Sequence, residues 1–419
     1  MRCCAVLCVH DDNHFLEAAL RAVESLPRLV LVSRIDWTGR TGAWEKSVEI
    51  AEACGAEVEV GDWTEVDHRE RWLAAPLERG FTHALLIDSD EVVEPELLAN
   101  LLKIAEGGLA EQVHVELDTY WKDAAHVVRP REPFNPSVLV DLRAVRFGHV
   151  REFIGGRRLF LNGSFGIVHH LSYAGDDARI WKKTTTWSHR DELVPDWWQR
   201  SWKGWDAEPM LRDLHPTHPP SYRFVERIPV PDILRSAGLE TEARAFEEPR
   251  VKPCSVVIPA HGGQEDLDAC LASLARCEGL VEEIVVVDDG SPLPLAVPES
   301  VTLVRTEENL GFARACNAGF ERTKGATVVF LNSDTVVPRA GLARLLEALH
   351  RSGSVAAAGP YSNNAGHGQG LDPTYTDVSR LDLFAEDFAR RAAEDREVDM
   401  LVGFCLAAKR HVLEEVGLF

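Results

Sequence analysis

The chain has 419 residues, 45% apolar and 27% charged, which is the composition of an ordinary soluble protein with room for two or three domains. Its formal charge of −22 argues against a nucleic-acid partner, because phosphate backbones select basic surfaces. No apolar run is long enough to span a bilayer, and the first residues lack the layout of a signal peptide. We therefore expect a cytoplasmic protein, and peripheral contact with the inner face of the plasma membrane stays open.

Strands and helices alternate along the N-terminal half. Apolar runs predict strands at Cys3–Val9, Leu29–Ser33, Glu57–Val60 and Ala84–Ile87. Helical spacing is found within His14–Leu26, Ser47–Ala53 and Arg69–Arg79. This alternation is typical of an α/β fold with a mostly parallel sheet and helices on its faces. From Val113 to about Val168 the pieces become shorter and richer in strand, and His189–Asp206 has helical spacing again.

A proline-rich stretch separates this half from a second half with the same alternation. Because proline interrupts helices and sheet ladders alike, we predict domains at 1–214 and 254–419 joined by a linker at 215–253. The second half has predicted strands at Cys254–Pro259, Glu283–Val287, Val301–Arg305 and Thr327–Leu331. Its cysteines, like those of the first half, lack CxxC spacing, so we expect all nine to be reduced and mostly buried.

One segment occurs twice, 244 positions apart and without a gap. Thr82–Leu102 and Ala326–Leu346 each contain an apolar strand, a short acidic turn, two valines and the start of an amphipathic helix. Eight residues of the first copy recur at this offset: Ser89, Asp90, Val92, Val93, Leu98, Ala99, Leu101 and Leu102. Self-similarity at this range indicates that a structural unit has been duplicated.

The acidic turn, Asp88-Ser89-Asp90 in the first copy and Asn332-Ser333-Asp334 in the second, follows a buried strand. In α/β sheets this edge binds ligands. Two carboxylates on one side of a tight bend suit Mg²⁺ or Mn²⁺, which would bridge the phosphates of a nucleotide and act as a Lewis acid. The alternative is a solvated acidic loop, but the repeat and its position favour a metal–diphosphate site.

The second half carries two further candidate pieces. Val285–Ser291 (VVVDDGS) is a buried strand ending in Asp288 and Asp289, whose carboxylates can accept hydrogen bonds from a base or a ribose. In Asn309–Gly319 (NLGFARACNAG), Gly311 permits a close turn into a helix, and Arg314 can reach a phosphate. Alternatively this segment is only a loop before a helix. The order and spacing of these segments are stronger evidence for a nucleotide-binding site than any one segment alone.

With these motifs in place, the second half resembles the family-2 glycosyltransferases of the GT-A fold. The similar segments are SVVIPAH, VVVDDGS, NLGFARACNAGF and FLNSDT. The resemblance implies that the nucleotide-sugar lies against Pro259, Asp288, Asp289, Asn309, Arg314 and Asn317. It also implies that Asp334 holds the metal.

The first half is similar to a more divergent relative of the same family. CVHDDNHFLEAAL corresponds to the opening strand and helix, and LLIDSDE corresponds to the metal turn, so the resemblance gives Asp88 and Asp90 as metal ligands. Asp36, in SRIDWTG, stands where the family has D-D-G-S, which departs from the nucleoside-binding pattern. The fold class implied is two tandem GT-A-like, Rossmann-like α/β domains.

Inverting transfer needs a carboxylate that takes the proton of the acceptor hydroxyl. Family members carry a further acidic E-D pair after a segment like Gly403–Phe419, and the sequence stops before it, so we expect the second domain to be C-terminally incomplete. In the first half, Glu152 and Asp176 are candidate bases by position, although most such carboxylates are ordinary surface residues.

Histidines and tryptophans beyond the turn offer two further hypotheses. His169 and His170 follow one another on a predicted strand, so one of them, taken as His170, can face the cleft and complete the metal shell. Trp198, Trp202 and Trp205 share a helix face, which is typical of a buried helix and also of a platform for sugar rings.

The favoured hypothesis is a cytoplasmic, metal-dependent hexosyltransferase of cell-wall or exopolysaccharide biosynthesis. It would move a sugar with inversion from a nucleoside-diphosphate sugar to a hydroxyl of a polysaccharide or lipid-linked glycan. One alternative is a sugar nucleotidyltransferase, but neither CVHDDN nor IPAHGG supplies its basic, glycine-rich loop. The other is a non-catalytic glycan-binding scaffold derived from transferase domains.

Overall fold

The computed structural model describes residues 1–36, 39, 41–149, 151–186, 190–239, 246–392 and 395–419. Its chain divides into a first unit, Met1–Trp205 with Leu211–Ala243, and a second unit, Asp206–Met210 with Arg244–Phe419. Within the described residues, no helix combines the length and the apolar character that a membrane span requires. The nine cysteines are free thiols, and all but the half-buried Cys54 are buried.

The first unit contains fourteen strands and six α-helices among its described residues. The strands are β1 (Cys3–Val9), β2 (Arg28–Ser33), β3 (Glu57–Gly61), β4 (His83–Asp88), β5 (Glu91–Val93), β6 (Gln112–Val115), β7 (Leu117–Lys122), β8 (His126–Arg129), β9 (Ser137–Asp141), β10 (Arg146–His149), β11 (Glu152–Ile154), β12 (Arg158–Leu161), β13 (Val168–Ala174) and β14 (Phe224–Arg227). The helices are α1 (Leu16–Ala22), α2 (Glu45–Ala53), α3 (Glu65–Glu78), α4 (Pro95–Gly107), α5 (Asp177–Thr186) and α6 (Asp232–Ser236).

The main sheet of the first unit has the order β12-β6-β9-β4-β1-β2-β3. Strands β3, β2, β1 and β4 are parallel, and β9 pairs antiparallel with β4. All seven residues of β1 are buried, as expected for a central strand covered on both faces. A second sheet has the order β14-β8-β7-β13-β5. Its edge strand β5 directly follows the acidic turn.

Local signals explain where the helices beside this turn begin and end. Thr64 caps α3 by accepting the amide of Asp67 at 3.3 Å, and Pro95 is the first residue of α4, where its missing N–H costs nothing. Helix α4 ends at Gly108, which has a left-handed φ of 58°. The turn is therefore followed by a well-defined helix packed under the sheet.

The second unit repeats the central order. Its strands are β15 (Cys254–Ala260), β16 (Val281–Asp288), β17 (Thr302–Arg305), β18 (Thr327–Leu331), β19 (Ala357–Ala358) and β20 (Cys405–Lys409). Its helices are α7 (Gln264–Ala275), α8 (Phe312–Phe320), α9 (Arg339–His350), α10 (Leu381–Arg391) and α11 (Arg410–Val416). The sheet runs β17-β16-β15-β18-β20-β19, with the first four strands parallel and β20 antiparallel to β18.

The predicted α/β class with mostly parallel sheets is confirmed in both units. Residues 224–227, which the sequence placed in the linker, instead form β14 and pair with β8 of the first unit. In 190–206 the chain forms a 3-10 turn, a π-helical stretch at Trp198–Lys203 and a second 3-10 turn, where one α-helix was expected. His189 lies outside the described residues.

Candidate active site

The acidic turn of the first unit lies at the carboxyl edge of the main sheet. Strand β4 ends at Asp88, which pairs in register with Cys8 of β1. The Ser89 hydroxyl donates to the carbonyl of Asp12 at 2.9 Å, so the turn is tied to the loop that follows β1. The position is the one that α/β folds use for ligands.

Asp88 is held by two arginines. Arg69 of α3 donates to its carboxylate at 2.6 and 3.3 Å, and Nη1 of Arg151 lies 3.6 Å from Oδ2. Glu91, which is buried, accepts the Asp88 amide at 2.9 Å and pairs with Arg151. Burial raises the pKa of Asp88, but the charges of Arg69 and Arg151 outweigh it and leave the pKa below its ordinary value.

Asp90 faces a different set of cations. Its Oδ2 lies 2.9 Å from Nζ of Lys183 and 3.4 Å from Nη2 of Arg179, and Nε2 of His170 lies 3.8 Å from Oδ1. Burial opposes ionisation of this carboxyl group. The charges of Lys183, His170 and Arg179 more than offset that cost and hold the pKa of Asp90 far below its ordinary value.

Helix α5 supplies Lys183 and Arg179 from one face, whereas His170 belongs to β13. Arg179, Lys182 and Lys183 are spaced i, i+3 and i+4, and we call them the basic face of α5. Arg179 binds Asp12 through two hydrogen bonds of 2.7 and 2.9 Å, and Lys182 lies 2.5 Å from Asp11. The basic face thus meets three carboxylates, two from the loop after β1 and one from the acidic turn. Sequence reasoning missed it, although its helical spacing was visible.

The arrangement in the first unit does not fit a divalent cation. The sequence led us to expect Asp88 and Asp90 to share one ion with His170, but each carboxylate already faces its own cations. Across the described ranges of the chain, no three His, Cys, Asp or Glu side chains converge to hold a metal. A metal ion would have to displace an ammonium or a guanidinium group.

The candidate bases occupy different settings. Glu152 begins β11, is exposed, and directly follows Arg151, whose guanidinium reaches the acidic turn. Asp176 instead accepts the Arg179 amide at 2.8 Å and so caps α5.

The adjacent histidines of β13 face opposite ways, as alternation predicts. His169 is buried and contacts Tyr120 at 2.9 Å, whereas His170 faces Asp90. Asp36 is half-buried just after β2. Burial disfavours the charged form of His10, but the hydrogen bonds to Asp11 and Ser33, with the charges of Asp11 and Asp36, raise its pKa.

The tryptophans form a core. Trp197, Trp202 and Trp205 are each at most 3% exposed and pack with Trp121 and Tyr173, so the segment is part of a core, although the predicted Trp198 is only half-buried and the stretch is π-helical. Two indole N–H groups are satisfied internally, since Trp197 donates to the Leu214 carbonyl at 2.6 Å and Trp202 to Asp177 at 2.7 Å. Such a core leaves no sugar platform on these rings.

In the second unit the carboxylates after β16 hold loops. Asp288 is fully buried and accepts the amides of Ser291 at 3.0 Å and Leu295 at 3.1 Å, while Arg305 pairs with Oδ2, the oxygen that also accepts the Leu295 amide. Burial raises the pKa of Asp288, but the hydrogen bonds from Ser291, Leu295 and Arg305 outweigh it and leave the pKa below its ordinary value. A direct contact between Asp288 and a nucleoside would require this network to open.

Asp289 fastens the loop that leads into α8. It accepts the amides of Leu310 at 2.8 Å and Gly311 at 2.9 Å, and the Asn309 side chain accepts the same Gly311 amide at 3.0 Å. The loop passes so close to Gly290 that a Cβ there would lie 2.6 Å from the backbone of Glu308, and Gly290 has a φ of 68°. The D-D-G-S turn therefore shapes the mouth of the site.

The remaining candidates border this mouth. Asp334 and Arg314 are exposed, and neither has a hydrogen bond or an ion pair with any residue that the structure describes. Pro259 is half-buried near the end of β15. Asn317 of α8 donates to the carbonyl of Phe419 at 2.8 Å and accepts its amide at 3.2 Å. Asp334 is thus an available carboxylate of the turn after β18, unlike its buried counterpart Asp90.

A family model matches the sequence of the second unit. Residues 255–417 match the model described as Glycosyl transferase family 2. The match lies within the second unit and spans less than half of the chain.

Three known proteins illustrate the similarity. The succinoglycan biosynthesis protein ExoO of Rhizobium meliloti (strain 1021) is 28% identical over 143 residues, or 33% of this chain and 38% of that protein. The undecaprenyl-phosphate 4-deoxy-4-formamido-L-arabinose transferase of Serratia proteamaculans (strain 568) is 35% identical over 109 residues, or 23% of this chain and 33% of that protein. The mannosyltransferase PcManGT of Pyrobaculum calidifontis, solved with GDP-Man and Mn²⁺, is 19% identical with a TM-score of 0.29 over 44% of this chain and 52% of its own. The chain spans about a third of the length of the curated relatives it matches.

Removing the Asp176 cap should destabilise the first unit. We expect Asp176→Ala to lower the free energy of unfolding by about 1 kcal/mol, because the amide of Arg179 loses its acceptor. Asp176→Asn should retain most of the stability, since asparagine caps equally well. Urea denaturation followed by tryptophan fluorescence reports on the first unit, because all eleven tryptophans precede residue 206. Equal stability of the two variants would contradict the cap.

Removing the Asp90 carboxylate should cost more. We expect Asp90→Ala to destabilise the first unit by about 3 kcal/mol, because Lys183 and Arg179 lose a buried counter-charge, and Asp90→Ala/Lys183→Met should recover part of the loss. The folded-state pKa of Asp90 lies below its unfolded value, so its stabilisation is present at neutral pH and is lost as pH falls below about 4. Urea midpoints between pH 7 and 3 measure both effects. If the urea midpoint of Asp90→Ala fell with decreasing pH as steeply as that of the unmodified protein, the pairing of Asp90 with Lys183 and Arg179 would be contradicted.

Proposed function

We propose that the chain is a tandem glycosyltransferase with two GT-A-like domains that use nucleoside-diphosphate sugars. The observation that carries this proposal is the family-2 match over 255–417 together with an exposed Asp334 at the carboxyl edge of the sheet. The first unit is a divergent copy on this view. Both units have the strand order 3-2-1-4 followed by an antiparallel strand, and the repeated segment forms β4 with α4 in one and β18 with α9 in the other.

In the second unit the donor would lie across the carboxyl ends of β15, β16 and β18. Mg²⁺ and Mn²⁺ are commonly held by one or two carboxylates together with substrate phosphates, and a single exposed Asp334 fits that mode. When bound, such an ion would neutralise the charge of the departing diphosphate. The exposed Arg314 supplies a further positive charge near the start of α8. Asp289 and Gly290 keep the loop before that helix in place.

In the first unit the proposed base is Glu152. Its side chain is exposed, and in the sequence it directly follows Arg151, which contacts Asp88 and Glu91. The base accepts the proton of the acceptor hydroxyl while the hydroxyl oxygen attacks the anomeric carbon, and the nucleoside diphosphate departs from the opposite face. Two curated relatives, a succinoglycan biosynthesis protein and an undecaprenyl-phosphate 4-deoxy-4-formamido-L-arabinose transferase, support a polysaccharide or lipid-linked acceptor.

Loss of Asp334 should abolish metal-dependent donor binding by the second unit. We expect Asp334→Ala to weaken Mn²⁺-dependent binding of the preferred nucleoside diphosphate at least tenfold, because the exposed Asp334 is the carboxylate of the turn that follows β18. Isothermal titration with UDP, GDP, dTDP and ADP, each with and without Mn²⁺, measures this. The matched control is Glu299→Ala, which removes another exposed loop carboxylate. Undiminished Mn²⁺-dependent binding in Asp334→Ala would remove Asp334 from the site.

Replacing Glu152 should slow turnover without weakening donor binding. We expect Glu152→Gln, made in the Asp334→Ala background, to reduce kcat for release of the nucleoside diphosphate about 100-fold or more. KM for the donor should change little, because the side chain acts on the acceptor. Asp176→Asn in the same background is the control and should keep its rate. A rate in Glu152→Gln close to that of its parent would exclude Glu152 as the base.

A further inference from the structure

The basic face of α5 stands where a GT-A-like site would place its metal. Lys183 and Arg179 lie 2.9 and 3.4 Å from Asp90, the residue that corresponds by the repeat to Asp334. Lys182 lies 2.5 Å from Asp11 on the neighbouring loop. The repeated turn therefore meets permanent cations in the first unit and faces solvent in the second.

The carboxylates around this turn already face permanent cations. The basic face meets Asp11, Asp12 and Asp90, and Arg69 and Arg151 meet Asp88 and Glu91. A divalent cation would have to compete with these side chains for the carboxylates and would stand within a few ångströms of an ammonium group, which is a costly repulsion. A diphosphate brings negative charge instead, and ammonium groups bind phosphate oxygens well.

We infer that the first unit binds the diphosphate of its nucleotide with the basic face of α5 in place of a divalent cation. This inference rests on the proposed function. Lys182 and Lys183 are the groups that reach the ligand, since their side chains are 51% and 24% exposed. Arg179 is 8% exposed and makes five hydrogen bonds to Asp12 and to the carbonyls at the end of β13, so it anchors the helix as a positioning residue.

The position of Trp181 makes the site observable. Trp181 precedes Lys182 on α5 and is 52% exposed, and every tryptophan of the chain lies before residue 206. Quenching of tryptophan fluorescence therefore reports on ligands of the first unit, while calorimetry counts the ligands of the whole chain.

The experiment titrates the full chain with UDP, GDP, dTDP and ADP, once with Mn²⁺ and once in EDTA, with UMP as a probe that lacks the diphosphate. We expect two nucleoside diphosphates per chain in Mn²⁺ and one in EDTA, with only the EDTA-resistant one quenching tryptophan. Lys182→Ala and Lys183→Met should each weaken that binding at least tenfold and leave the Mn²⁺-dependent binding unchanged. Lys46→Ala, which removes another exposed helical lysine paired with a carboxylate, should change neither.

The outcomes separate this inference from the proposed function. Binding only in Mn²⁺ and lost in Asp334→Ala would overturn the inference and leave the function standing. Binding in Mn²⁺ that survives Asp334→Ala and disappears in Asp90→Ala would also overturn it. No binding of any nucleotide under either condition would overturn the proposed function itself. If Lys183→Met does not fold, the binding measured for Lys182→Ala tests the inference, because the side chain of Lys182 is half-exposed. Circular dichroism checks that Lys182→Ala is folded.

Discussion

The pairing of α5 with the carboxyl edge of the first sheet is the interaction on which the first unit depends. A buried carboxylate such as Asp90 is costly unless cations accompany it, and Lys183 and Arg179 provide them. Arg179 also binds Asp12, so one helix fixes the loop after β1 and the turn after β4 together. The geometry of the edge and the charge state of Asp90 follow from that contact.

The same turn has a different chemistry in each unit because its surroundings differ. In the first unit the chain continues from β5 into a second sheet, and β13 of that sheet delivers α5 to the edge. In the second unit β18 pairs with β20, and Asp334 has no ion pair among the described residues. The two units share the strand, the turn and the helix that follows, whereas the partner of the turn is set by the segment beyond it.

Much of the architecture could be predicted because its signals are local. Continuous apolar runs mark β1, β15 and β18, and the offset of 244 positions aligns the two turns. The pairing of Arg179 with Asp12 spans 167 positions, and no periodicity links residues that far apart. The sequence predicted that Trp198 is buried with Trp202 and Trp205, whereas the structure buries Trp197 instead. The prediction used a helical period of 3.6, which does not describe a π-helical stretch. Asp176 could have been recognised as a cap, since it directly precedes the helix.

Permanent and exchangeable cations impose different requirements on a diphosphate site. An exchangeable ion needs carboxylates that stay open to solvent until it arrives, which matches the exposed Asp334. A lysine is always present, but its flexible side chain must be held in position near the ligand. The carboxylates of Asp11 and Asp90 hold Lys182 and Lys183 at the edge of the sheet. On the proposed binding mode, the acids of the first unit position the lysines that bind the diphosphate. The acidic turn then has a role in a unit whose described residues leave no place for a metal.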